Sequence, residues 1–242
     1  IALVALGLGA SGCPSNPSYQ RDSVGEAIHH IATTEYQLNV SVRQTDRALA
    51  VRLHHPGMLQ QLGTQVGLSP ASLQALGNLL ESIHRVLLST NRPLDFYVVL
   101  LSDPAVPGAY LTLIRYLEDV RRVNVYNISP TEFFSRTIVE VKIEGDPEAE
   151  FNQIPLTDFT LEGFLSWQLA QRIRMRLADR VTVAGVPTAQ VGPCVGDFRN
   201  GEFTFALNVA PQPGALADEA LIQQLFEDAT TVIAQVLADY RF

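Results

Sequence analysis

Lysine is nearly missing from this 242-residue chain: Lys142 is the only one. No Lys/Arg-rich block occurs, and 17 basic residues face 25 acidic ones, a net charge of −8. Affinity for nucleic acid rests mainly on neutralising phosphates, so this balance excludes a typical nucleic-acid binder. Cysteine is almost as scarce, with only Cys13 and Cys194, so no disulfide framework is on offer. Beyond the first residues no apolar run reaches the roughly 20 residues that a bilayer span needs. There is no Gly-rich phosphate loop and no Gly-x-Ser-x-Gly elbow. No spacing of His, Cys and carboxylates resembles a zinc site. The sequence therefore names no catalytic residue, no cofactor and no metal. What it does have is apolar residues, 47% against 17% charged, enough for a substantial core and too many for disorder.

The N-terminus is the most informative segment. Residues 1–12, Ile1-Ala2-Leu3-Val4-Ala5-Leu6-Gly7-Leu8-Gly9-Ala10-Ser11-Gly12, are apolar and then small. The run is too short to span a bilayer, and it has the length and flanks of an export signal. Cys13 follows directly, and Ala10-Ser11-Gly12-Cys13 resembles the lipobox of bacterial lipoproteins. The segment departs from that family in having Ala10 where Leu is usual and in lacking an initiator Met and a basic stretch. It reads as a signal cut partway. The resemblance implies that Cys13 is lipidated and becomes the new N-terminus. Pro14, where an Asp would signal retention at the inner membrane, implies the periplasmic face of the outer membrane. Residues 13–30 read as a linker, opening with the polar, proline-containing Pro14-Ser15-Asn16-Pro17-Ser18-Tyr19-Gln20. With Cys13 carrying lipid, Cys194 has no partner in the chain, and its apolar flanks predict a buried, inert thiol.

Residues 31–242 then form the body. Tyr36–Arg43 and Ala48–Leu53 alternate apolar and polar around Gln44-Thr45-Asp46, a predicted hairpin. Ser69-Pro70 opens a helix with Leu73, Leu76, Leu80, Ile83 and Leu87 on one face. Asp95–Leu101 is a central strand, apolar throughout and so buried on both faces. Residues 109–116 predict a strand followed by a helical turn. Ser129-Pro130-Thr131-Glu132 is a capping box, and Thr137–Ile143 is a strand with Val139, Val141 and Ile143 facing inward. The acidic stretch 144–153 reads as a loop, the candidate boundary between halves 31–145 and 154–242. A helix over 160–178, strands near 180–184 and 203–209, and a helix over 218–240 complete the chain. The predicted class is α+β, a mostly antiparallel sheet with helices packed on one face.

His29-His30, His54-His55 and lone His84 read better as surface or strand-end histidines than as a shared metal site. Asp103, Glu118 and Asp119 follow candidate strands, where carboxylates carry chemistry in many α/β folds, yet Ser102-Asp103-Pro104 is also an ordinary turn. Arg172, Arg176 and Arg180 recur every four residues beside the apolar line Leu161, Leu165, Leu169, Ile173 and Leu177. Such a cationic edge suits anionic lipid head groups or an acidic partner, although compensation of the helix dipole together with solvation is the better account of it. Arg115, Arg121 and Arg122 form a second basic group. The expectation is a membrane-anchored envelope lipoprotein that binds or scaffolds an envelope protein and is not an enzyme. The alternatives are a periplasmic hydrolase acting on envelope material and a carrier for a small apolar ligand.

Overall fold

The computed structural model describes residues 18–63, 65–180, 182–183, 186–187, 189–211 and 219–242. Cys13, the signal-like run and the start of the linker lie outside the described residues.

A 3-10 turn, Arg21–Ser23, leads into α1 (Val24–Tyr36), in which Val24 and Ile28 are fully buried. The expected linker over 13–30 is therefore too long: residues 24–30 belong to the body, because the apolar spacing Val24, Ile28, Ile31 gives a helix with a face to bury. The predicted hairpin follows as β1 (Val40–Gln44) and β2 (Ala48–His54), paired antiparallel. A second hairpin, β3 (Leu59–Leu62) with β4 (Gln65–Leu68), intervenes before α2 (Ser72–Leu88). The Ser69 hydroxyl accepts from the Ser72 N–H and supports the start of α2.

The chain then enters β5 (Phe96–Ser102), where every residue is buried. β5 lies parallel to β2 and antiparallel to β6 (Tyr110–Tyr116). β6 runs directly into α3 (Leu117–Asn124), then α4 (Pro130–Ser135), then β7 (Ile138–Lys142), which pairs with β6 and closes the sheet. The order β1-β2-β5-β6-β7 contains one parallel pairing among antiparallel ones. The class is α+β with a mostly antiparallel sheet, as the pattern predicted.

Alternation along the strands divides the side chains between two layers. Leu49, Val51, Leu53, Tyr97, Val99 and Leu101 join α1 and α2 in one core. Ala48, Ala50, Phe96, Val98 and Leu100 face the other way. Helices thus cover the one expected face, and a second set covers the opposite face. That set comprises α5 (Pro147–Gln153), α6 (Leu161–Arg180) and α7 (Glu219–Tyr240). Phe96 anchors this layer, with its ring centroid 5.7 Å from Phe159 and 5.5 Å from Phe164. Because Phe164, Leu169 and Val236 share a core with strand residues Ala50 and Phe96, the two sequence halves are one packed unit.

Beyond α6 comes the small ribbon β8 (Thr182–Val183) with β9 (Val186–Pro187). The long hairpin β10 (Ala189–Arg199) and β11 (Glu202–Pro211) follows and packs on α6 and α7 through Val191, Cys194, Leu207 and Val209. The sequence reading found β11 and missed β10, whose Gly192, Pro193 and Gly196 break the strand pattern. Those breaks have causes in the structure. The pairing register shifts between Val191 and Cys194, and Gly196 lies against the backbone of Ser166.

Candidate functional site

The densest polar arrangement lies where α3, α4 and the end of α7 meet. An open cleft of about 760 Å³ is lined there by Glu118, Arg122, Glu132, Arg136, Asp239 and Arg241. Its floor comes from three distant parts of the chain. The Leu117 N–H bonds to the Asp95 carbonyl and ties the start of α3 to the sheet. Asp119 sits in the first turn of α3, where a helix favours negative charge. Only 2% of Asp119 is exposed. Arg136, 4% exposed, donates to its Oδ1 at 3.0 Å, and the Tyr240 hydroxyl donates to its Oδ2 at 2.6 Å. The Arg136 guanidinium also lies over the Tyr240 ring, 4.6 Å from its centroid. Gln168 on α6 donates to the Arg136 carbonyl at 2.7 Å and to the Tyr240 oxygen at 3.1 Å.

Glu132 ties the floor to the rim. Its N–H caps on the Ser129 hydroxyl at 3.0 Å, as the capping box predicts. Its carboxylate does not turn back to the cap. It accepts from Arg136 at 2.8 Å and from Arg172 at 3.3 Å. Burial would raise the Glu132 carboxyl, but Arg136 and Arg172 hold it below its ordinary value. Burial raises the Asp119 carboxyl above the usual range despite its bonds to Tyr240 and Arg136. Tyr240 is raised by burial and by the Asp119 charge. Burial would lower Arg136, yet its bond to Glu132 and the nearby Tyr240 and Asp119 raise it and keep it charged.

Both Asp119 oxygens are engaged, so this carboxylate has a fixed bonding role. The arrangement is a rigid ionic floor beneath an open rim of mixed charge. Outside its lining, the same two helices carry exposed apolar residues: Val125 and Tyr126 at the end of α3, and Phe134 on α4. Tyr126 is 92% exposed and takes a left-handed backbone, φ 59°, to end the helix. Glycine or asparagine normally takes that conformation, so a solvent-facing tyrosine is held there at a backbone cost.

The Arg stripe is spread over several partners. Arg172 bonds Glu132, the Ser135 hydroxyl at 2.7 Å and the Ser135 carbonyl at 3.2 Å. Arg176 pairs with Asp228 on α7 at 3.6 Å. Arg180 ends α6, and its side chain lies outside the described residues. The charges of Arg172 and Arg176 are thus matched within the chain.

Asp103 is not brought together with Glu118 and Asp119. Asp103 follows β5, at the end of the strand opposite to the one near α3. It is buried, and it accepts from the backbone N–H groups of Leu59 at 3.0 Å and Ala105 at 2.8 Å. Glu118 pairs on the surface with Arg121 at 3.1 Å.

The histidines scatter. His29 contacts the Val40 carbonyl, His30 the Thr34 hydroxyl, His54 the Ser102 hydroxyl at 2.9 Å, His55 the Pro56 carbonyl and His84 the Tyr97 hydroxyl at 2.6 Å. Among the described residues no group of three potential ligands could hold a metal. Cys194 is half-buried, and burial raises its thiol above the ordinary value.

Sequence reasoning missed Arg136, Gln168 and the role of Tyr240. Tyr240 falls within the last predicted helix, but nothing local marks its hydroxyl as a bonding group. One cue was readable: Arg136 lies four residues after Glu132, on the same helical side. No protein-family model matches this chain, and neither the curated proteins nor the solved structures contain a match.

Proposed function

We propose that this chain is the body of an envelope lipoprotein that binds or scaffolds a protein partner. A lipid on Cys13 would hold it at the periplasmic face of the outer membrane. The anchor rests on the lipobox-like Ala10-Ser11-Gly12-Cys13. The binding role rests on one observation: the α3–α4 corner presents Val125, Tyr126 and Phe134 to solvent beside a cleft with a rigid ionic floor. Exposed aromatics on the elements that carry preorganised polar groups are the composition of a recognition surface.

Two variants test the two parts separately. A photo-crosslinking residue at Tyr126 should capture a defined envelope protein in cells, and the same residue at Asp22, on an unrelated exposed surface, should not. Cys13→Ala should release the protein from the membrane fraction. Equal capture at both positions removes the binding surface, and unchanged fractionation removes the anchor.

One contact favours a hydrolase as the second reading. His54 Nδ1 lies 2.9 Å from Ser102 Oγ at the end of paired strands β2 and β5. Asp103 is turned away from it, onto the backbone of Leu59 and Ala105. A nucleophile of this kind also needs its base oriented by a third group. A fluorophosphonate probe is expected to leave Ser102 unlabelled. Labelling that disappears in Ser102→Ala would move the hydrolase to the front.

A further inference from the structure

Arg115 departs from the pairing seen at the chain's other deeply buried arginine among the described residues. That arginine, Arg136, has carboxylates at 2.8 Å (Glu132), 3.0 Å (Asp119) and 3.7 Å (Asp239). Arg115 on β6 is 9% exposed and, among the described residues, has no carboxylate partner. Its contacts are neutral. Nε donates to Thr137 Oγ1 at 3.0 Å, and Nη1 donates to Tyr97 Oη at 3.2 Å. One face of the guanidinium stacks on Phe133, 4.7 Å from the ring centroid.

Five N–H donors radiate from a guanidinium, and two are used here. Nη2 has no hydrogen-bond partner among the described residues and is not sealed from solvent. Burying a charge without a counter-charge is costly, and a planar carboxylate meeting two parallel N–H groups is the arrangement that best offsets it.

We propose that Arg115 is the receptor for a carboxylate ligand that carries an apolar tail. The carboxylate would pair with the free Nη edge, beside Tyr97, Thr137 and Phe133. The tail would run toward the sheet edge. On this face of the sheet Arg115 is followed by Leu113 and Leu111 on β6, opposite Val139 and Val141 on β7. Leu111 and Leu113 are buried, Val139 is half-buried and Val141 is 42% exposed, so the exposure of this apolar row rises toward the sheet edge. The site holds a single fixed positive charge, which a monoanionic carboxylate matches better than a dianionic phosphate. His84 bonds Tyr97 on the near side, and burial together with the Arg115 charge pushes it down to about 4. It is therefore neutral at neutral pH and adds no second cation. This inference does not depend on the membrane anchor or on a protein partner at the α3–α4 corner.

Sodium octanoate is the probe, with octanol as the uncharged control and inorganic phosphate as the second anion. The Arg115 Nε–Hε resonance is followed by NMR in the intact protein. Saturable shifts with octanoate, absent with octanol and lost in Arg115→Gln, are expected. An equal response to octanol, a stronger response to phosphate, or no saturation overturns the proposal. Arg115→Met supplies a readout that a structural arginine would move the other way. It removes an uncompensated buried charge, so without octanoate its Tm should equal or exceed that of the parent, and octanoate should no longer raise it. A clear fall in Tm for Arg115→Met, or stabilisation by octanoate that persists in it, rejects the assignment. If neither variant folds, the wild-type titration against octanol decides alone.

Discussion

Replacing Asp119 with Ala tests whether the α3–α4–α7 floor behaves as a buried network. The substitution removes the 3.0 Å bond to Arg136 and the 2.6 Å bond to Tyr240 together. Breaking a buried ion pair by deleting one partner costs about 3–5 kcal/mol, because the remaining charge stays buried. Arg136 keeps Glu132 at 2.8 Å, which argues for the low end, about 3 kcal/mol. The Tyr240 hydroxyl loses its acceptor but still receives the Gln168 amide, so its share is about 1 kcal/mol. The expected loss is then about 4 kcal/mol, a large part of the 5–15 kcal/mol that typically separates folded from unfolded. Urea unfolding followed by circular dichroism measures it, as a fall in midpoint at constant slope. Tyr240→Phe should lose less. The double variant should lose less than the two single losses combined, since the residues share one bond. A loss below about 1 kcal/mol for Asp119→Ala is the value for a solvated surface pair and would refute the reasoning.

Gly196→Ala should separate the long hairpin from α6: a Cβ there would lie 2.2 Å from the Ser166 carbonyl oxygen and 2.9 Å from the Phe205 ring. The expected loss is about 3 kcal/mol, with faster proteolysis in residues 189–211, and near-wild-type stability would show that the hairpin does not dock there. His84 gives the chain an acid-sensitive stability. Its pKa falls from 6.5 to about 4 on folding, first through burial and then through Arg115. Between those values the unfolded chain takes up a proton that the native state does not, so stability falls as pH is lowered through this window, by up to about 3 kcal/mol. His84→Gln should flatten that part of the pH–stability curve, and an unchanged slope would place the sensitivity elsewhere.

What was legible in the sequence depended on how local its cause is. β5 and the last helix follow from period and caps and formed as their patterns predict. The β1–β2 hairpin formed with its first strand starting at Val40, since Tyr36 ends α1. Ser129 caps α4 without the reciprocal Glu132 bond, because that carboxylate turns to Arg136 and Arg172. β3, β4 and α5 were missed because they are short. α5 does carry a local signal: Asp146 accepts from the Glu148 N–H ahead of Pro147. The acidic, glycine-containing surroundings masked it. The inward assignment of Val141 and Ile143 failed for a different reason. Alternation puts Val141 on the same face as Leu111, but β7 is an edge strand and no helix covers it there, so Val141 and Ile143 remain 42% and 51% exposed. Leu73 likewise sits on the apolar side of α2 yet is exposed, because it lies in the first turn of the helix. Periodicity fixes which way a side chain points. It does not fix whether anything stands opposite.

The polar sites lie further from the reach of sequence reasoning. Asp119 and Tyr240 are 121 positions apart, and Gln168 bonds Tyr240 across 72. Only the antiparallel packing of α6 and α7 against the sheet brings them together. The same packing explains why the Arg stripe, read as one cationic surface, becomes separate contacts. Arg172 reaches α4 and Arg176 reaches α7, each meeting a carboxylate that its own helix could not reveal. Arg115 runs the opposite way. It was one of a basic trio in the sequence, and its companions Arg121 and Arg122 find Glu118 one helical turn away. Arg115, on the strand before them, is folded inward among Tyr97, Thr137 and Phe133 with no acid in reach. The composition holds more acids than bases, so a counter-charge for Arg115 was not lacking in the chain as a whole. The fold supplies carboxylates to Arg136, Arg172 and Arg176 and leaves this guanidinium edge open. That contrast within one molecule gives a carboxylate ligand at Arg115 a physical motive.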